Sequence, residues 1–369
     1  MDALTLGRRI AEVRDDAGMT QEGLGRRVNL DRSAISRLEK GERKVNVPEL
    51  VQIAAVLGRP LAYFVSEPVP AIVNRRRDTA HAHPTTRQLD GELEQFADDV
   101  RTLLAQGVLP SPAERPSLTL PRDHIDAEHA AATVRSWTGL RTGPITDLTQ
   151  TSERLGLYVF AAALGQSGAD GACVEVEHAG AFVGAAVLNG DVPAGRRRMT
   201  LAHELGHWLF GDAYDSEASL DSERMINSFA IHFLAPRAGV LGTWNKHPDR
   251  AVRDRALAVG ATFRLSWSAA IGQLRNLDLI DFDQHRVLAE YEPSRGDYLR
   301  LGLTWAEELE APYLSPSFTA CVLNAYTQEH LTGDRTVELL RGTLDEAQLP
   351  TRDRGSLELL RRSFLGHDD

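Results

Sequence analysis

No apolar run in this 369-residue chain approaches the roughly 18 residues that a bilayer-spanning helix needs. The most apolar stretch, residues 159–164, has only the length of a buried strand. The N-terminus is an amphipathic, mixed-charge pattern and lacks the basic patch and apolar core of an export signal. Cysteine is scarce. Cys173 and Cys321 are too few for a four-cysteine metal site, and two such distant thiols do not suggest a disulfide framework. These absences predict a cytoplasmic protein without membrane association. A surplus of positive charge is missing as well: 52 acidic against 41 basic residues give a net charge of -11. That excludes a chain coating nucleic acid along its whole length. Internal repeats and low-complexity tracts are also lacking. The length predicts two or three domains.

The acidic balance is not uniform. Residues 24–44 hold seven basic side chains (Arg26, Arg27, Arg32, Arg37, Lys40, Arg43, Lys44) against Asp31, Glu39 and Glu42, a local net charge of +4. Around this patch, residues 1–64 read as five short helices. Leu6, Ile10, Val13 and Ala17 form the first apolar stripe, closed by Gly18. Thr20 and Asp31 stand where N-caps belong, and Pro48 opens a fourth helix. Leu24 and Val28 point inward from the second helix, as do Ala34, Ile35 and Leu38 from the third. In a helix-turn-helix the second of the paired helices enters the major groove and the first crosses the backbone. Arg32, Ser33, Ser36 and Arg37 are thereby predicted to face DNA, with Gln21 placed to meet a phosphate. The string MTQEGLGRRVNLDRSAISRLEKGER resembles the Xre/Cro family of DNA-binding domains over residues 4–64. The resemblance implies a double-stranded DNA operator as partner.

Beyond residue 65 the pattern predicts a linker over 66–88, a second domain over 89–285 and a helical C-terminal extension over 286–369. Prolines, threonines and the run Arg75-Arg76-Arg77 mark the linker. Strands are expected in LYVFAAAL, CVEVEH and AFVGAAVLN, followed by helices. The whole is read as mainly α with a small β-sheet, an α+β protein.

The helix RRMTLAHELGHWLFG carries His203, Glu204 and His207. Two imidazoles at i and i+4 lie one turn apart on one face and can bind a single zinc ion, while the intervening glutamate can take a proton from a water on that ion. Apolar Leu201, Ala202, Leu205, Trp208 and Leu209 surround the triplet, so the polar groups are expected on a buried helix, where unpartnered they would be costly. Phe210 and Ala213 stand where a metzincin would need glycine and histidine, which excludes that class. A third ligand is needed, and the residues alone leave Glu223, Glu217, Asp221 and His232 open. No residue that would steady an oxyanion is identifiable, Tyr214 and Arg198 being merely nearby.

RRMTLAHELGHWLFG with ERMINSFAIHFLAP after it resembles the ImmA/IrrE family of metallopeptidases, in which HELGH is followed by E-x-x-A-N-x-F-A. The likeness covers about 140–285. It implies Zn2+ as cofactor, Glu223 as third ligand and Asn227 beside the site. It also implies a protein substrate that is itself a repressor or an antitoxin-like DNA-binding protein. Ile226 departs from the family's alanine. The expected function is a DNA-binding regulator that cleaves such a factor in a stress or mobile-element response. The alternative is a repressor or antitoxin of a toxin–antitoxin pair that uses the peptidase-like domain to sense a partner. The intact Glu204 favours the first, and the retained helix-turn-helix favours the second. A homodimer is compatible with either.

Overall fold

The computed structural model describes residues 2–59, 61–65, 84–110, 116–211, 220–304 and 307–352. Most of the proposed linker, with Arg75, Arg76 and Arg77, lies outside the described residues, as do Tyr214, Glu217 and Trp305. The chain divides into two compact units, residues 1–98 and 99–369.

The first unit holds α1 (Ala3–Asp16), α2 (Gln21–Arg27), α3 (Arg32–Glu39), α4 (Val47–Leu57), α5 (Leu61–Val65) and the first part of α6 (Pro84–Ala105). Helix starts are set by side chains that return to the backbone. Thr20 accepts from Gly23 N at 3.0 Å and Asp31 from Ala34 N at 2.7 Å, each worth about 1 kcal/mol. Asn46 and Glu49 form a reciprocal capping box ahead of Pro48. Ile10, Leu24, Ile35, Ile53 and Phe64 are fully buried at the centre of the unit. Within it α6 is tied by a buried Arg9–Glu94 ion pair and by Arg59 to Glu92 at 2.8 Å. The helix begins at Pro84, so residues 84–88 of the stretch read as linker are helical.

The second unit begins with α7 (His124–Trp137), α8 (Leu148–Arg154), β1 (Leu157–Ala162), β2 (Gly171–His178) and β3 (Ala181–Asn189). It continues through α9 (Ala194–Phe210), α10 (Leu220–Leu234), α11 (Arg237–Asn245), α12 (Val252–Phe263), α13 (Trp267–Asn276), α14 (Phe282–Ala289) and α15 (Arg295–Arg300). It ends with β4 (Tyr313–Leu314), α16 (Pro316–Thr327) and α17 (Gly333–Leu339). The mixed sheet has the order β2-β3-β1-β4. β2 and β3 form a hairpin whose turn residues Ala179 and Gly180 both have positive φ, the conformation that suits a tight two-residue connection. β1 runs parallel to β3, with Val159 opposite Ala186. The predicted α+β class, mainly helical with a small sheet, is what the fold shows.

Helix α9 lies against this sheet because the strands leave room for it. Trp208 is fully buried and donates from Nε1 to Leu155 O at 2.8 Å. A Cβ at Gly184 of β3 would come within 3.1 Å of the Trp208 ring. A side chain there would push the helix off the sheet.

The C-terminal extension is helical and also supplies the edge strand. Tyr313 and Leu314 pair antiparallel with Ala161 and Phe160, and the Tyr313 hydroxyl meets Thr149 Oγ1 at 2.8 Å. Asp99 receives Arg335 at 2.7 Å and Arg341 at 2.5 Å. A two-residue strand carries no alternation, so no pattern announced it. Residues 252–276 form two helices, α12 and α13. They part where Arg264 turns left-handed at φ 56° and Ser266 caps the start of α13.

Candidate functional site

The heptad AHELGHW places His203 and His207 one turn apart on α9, facing α10. The two helices approach closely because residue 206 is glycine. A Cβ there would sit 2.9 Å from Ile226 Cγ2 and 3.1 Å from Phe229 Cδ1. Ile226, the residue that departs from the family pattern, is fully buried in the space that Gly206 leaves. The larger side chain is accommodated there and does not displace Glu223 from the histidines.

His203 Nε2 and His207 Nε2 lie 2.9 Å apart. Glu223 Oε2 is 3.3 Å from the first and Glu223 Oε1 is 3.5 Å from the second. The three ligand atoms of His203, His207 and Glu223 fall within 4.8 Å of one another. Metal bonds of about 2 Å to nitrogen and oxygen set ligand atoms about 3–3.5 Å apart around a tetrahedral ion, so the donor set fits one. The far side of the His203 ring is held too: its Nδ1–H donates to Asn227 Oδ1 at 3.1 Å, which leaves Nε2 as the lone-pair nitrogen. Contact with His203, opposed by burial and reinforced by His207, holds the Glu223 carboxyl below its ordinary range and therefore ionised, as a ligand must be.

Glu204, on the adjoining face of α9, is buried at 7% exposure and is not in this donor cluster. Its backbone carbonyl accepts the Cys173 thiol from β2 at 3.4 Å, which fixes that turn of the helix against the sheet. The other third-ligand candidates among the described residues fall elsewhere. Asp221 is exposed and pairs with Arg224, and His232 is buried against Gln273, Nδ1 to Nε2, at 3.2 Å. Arg198 is committed at full burial to Glu308 and Ile145 O, so it is not available to an oxyanion. Sequence reasoning missed His124, whose Nδ1 meets Ser228 Oγ on α10 at 2.9 Å; a lone histidine 104 positions away gives no pattern to read.

On the first unit, Arg32, Ser33 and Arg37 are exposed along one side of α3 and Ser36 is half-buried, while Ala34, Ile35 and Leu38 are buried opposite. Arg32 and Arg37 make no ion pair among the described residues, and the Ser33 hydroxyl donates to Asp31 at 2.7 Å. Gln21 is half-buried and its amide donates to Glu39 Oε2 at 2.7 Å. Glu39 also binds Arg14 at 2.5 Å. This long-range arrangement, invisible to local pattern, occupies the Gln21 donor inside the domain.

Residues 10–64 match the helix-turn-helix family model, and residues 152–273 match the model of the IrrE N-terminal-like domain, a peptidase family. Residues 10–64 are thus an Xre/Cro-type helix-turn-helix and residues 152–273 an ImmA/IrrE-like peptidase-family domain. No curated protein matches it. Two solved structures align over most of its length. One is PlcR of Bacillus thuringiensis in complex with the peptide PapR7 and DNA, at 11% identity, with 91% of this chain and 92% of that one covered and a TM-score of 0.19. The other is ComR from Streptococcus suis, at 12% identity, with 92% and 86% covered and a TM-score of 0.17. At those TM-scores neither likeness bears on function. Among the described residues no helix is long and apolar enough to cross a membrane.

Proposed function

We propose that the chain is a zinc-dependent metallopeptidase tethered to a DNA-reading domain, and that it cleaves a repressor or antitoxin-like transcription factor. The observation that carries this reading is the convergence of His203, His207 and Glu223 beside a buried glutamate, Glu204, that is not one of the converging ligands. His203, His207 and Glu223 would hold the ion, and Asn227 would keep the His203 ring turned toward it. Zinc, when bound, supplies a Lewis acid for the scissile carbonyl and lowers the pKa of the attacking water. Glu204 would take a proton from the attacking water and pass it to the leaving amine. Arg32, Ser33, Ser36 and Arg37 read a double-stranded DNA operator, which holds the peptidase where DNA-bound regulators gather. Gln21 joins them at a phosphate only by releasing its amide from Glu39. The setting is cytoplasmic, in a stress or mobile-element response, and the active form is a monomer or a homodimer.

The fused helix-turn-helix also favours a second reading, a repressor or antitoxin that uses the same domain to sense a protein partner. The first test is elemental analysis of the purified chain. One zinc is expected in the parent and in Glu204→Gln, and none in His203→Ala; unchanged zinc in His203→Ala removes the assignment. Arg32→Ala and Arg37→Ala are each expected to weaken binding to an operator selected from random duplexes by about 1–3 kcal/mol. Parental affinity in both variants would remove α3 from the DNA interface.

A further inference from the structure

Beside the metal centre a cavity of about 310 Å³ opens between α9, α10 and α13. From α10 come Arg224, Asn227, Ser228 and Ile231, at i, i+3, i+4 and i+7, one continuous face. From α13 come Ala269, Gly272, Gln273 and Asn276 at the same spacing. Met199, one turn before His203 on α9, completes the apolar part of the wall. Asn227 belongs both to this wall and to the metal centre, where its Oδ1 accepts from His203 at 3.1 Å. The cavity is therefore one side chain away from the donor cluster.

The opening has a local cause. A Cβ added at Gly272 would meet no heavy atom within 4 Å. At Gly184 and Gly206 the missing side chain makes room for Trp208 and Ile226, but at Gly272 no atom of the described residues comes within 4 Å of that position. A glycine inside a helix is destabilising relative to alanine, and here no packing against a described neighbour offsets it. The polar groups of the wall are already engaged. His124 is bonded to Ser228, Gln273 donates to Ala235 O at 2.9 Å, and Arg224 pairs with Asp221. The surface left to be satisfied is apolar, from Met199, Ile231 and Ala269. Pockets of about 300 Å³ and more are of ligand-binding size.

We propose that this cavity is a substrate subsite, which receives one bulky apolar side chain (aromatic, leucine or methionine) of a polypeptide lying across His203, His207 and Glu223. The inference rests on the peptidase reading for what lies across the site, and adds the class of residue selected next to it.

The test uses the zinc-loaded full chain carrying Glu204→Gln and fluorescent peptides of otherwise randomised sequence, with one residue fixed at each position in turn. Peptides fixed as Phe, Leu or Met at one position are expected to bind about tenfold or more tighter than those fixed as Ala, Asp or Lys. Adding Gly272→Phe, or Gly272→Leu should the first variant fail to fold, is expected to abolish that preference. Gly242→Phe, on an exposed face of α11 with equally open space, is expected to keep it. Absence of a preference, or a preference that both Gly272 variants leave unchanged, overturns the subsite. Turnover by the parent chain is read separately. A preference without turnover leaves the subsite standing and removes the peptidase reading, whereas turnover without a preference does the reverse.

Discussion

Replacing Asn227 by alanine isolates the part of the metal centre that is not itself a ligand. The side chain is exposed, so its truncation removes little buried surface and leaves the Ile226, Phe229 and Phe233 packing of α10 in place. The change removes the acceptor 3.1 Å from His203 Nδ1. Without that oxygen the imidazole can rotate and can carry its proton on Nε2, the nitrogen that must face the ion. Loss of such a supporting hydrogen bond typically lowers metal affinity about 10–100-fold, equivalent to about 1.4–2.7 kcal/mol. Asn227→Asp keeps an acceptor in place and is expected to bind zinc with an affinity close to the parent's. The assay is competition for zinc against a chromogenic chelator, with thermal melting of the metal-free chains as the control for folding. Equal affinity in the parent and Asn227→Ala would refute the reasoning, as would an equal loss in both variants.

Gly206→Ala puts a Cβ 2.9 Å from Ile226 Cγ2, an overpacking expected to cost about 1–3 kcal/mol and to weaken zinc binding by separating α9 from α10. Combined with Ile226→Ala, the loss should be smaller than the sum of the two single losses, by about 0.5–3 kcal/mol; strictly additive melting data would contradict the packing argument. Burial pushes the His232 imidazolium below its ordinary pKa, with the Glu128 carboxylate opposing and Arg237 and His124 reinforcing the shift. The unfolded chain then takes up the proton first, so stability is complete above about pH 6.5 and falls as the pH drops below that value. Glu128, held low chiefly by its hydrogen bond from Arg237, acts only in the more acidic carboxylate range. His232→Gln should flatten the melting temperature between about pH 7.5 and 5.5 relative to the parent, and an unchanged slope would remove His232 as its source.

The features legible in the sequence were those with a short period. Thr20 and Asp31 announced their helices through capping, and Ile35 and Leu38 marked the buried side of α3. His203 and His207 share a face because of their four-residue spacing alone. Glu223, sixteen positions beyond His207, was one of several carboxylates until a family pattern singled it out; its distance to the histidines depends on the packing of Gly206 against Ile226. Features joined across long separations stayed hidden: Glu39 taking Gln21 and Arg14, Glu308 taking Arg198, and β4 completing the sheet from about 150 residues away. Each is decided by tertiary packing, and none leaves a trace in neighbouring residues.

In the proposed mechanism Glu204 is a working base beside a metal held by His203, His207 and Glu223. The most direct measurement is the cleavage rate of a protein or peptide substrate by the parent and by Glu204→Gln at equal, independently measured zinc occupancy. A fall of roughly two or more orders of magnitude is expected in Glu204→Gln, the usual worth of a positioned general base, with DNA binding by residues 1–65 retained. Equal cleavage by both chains, or a zinc-loaded parent that cleaves nothing while a Glu204→Gln strain behaves as the parent in the cell, would contradict it.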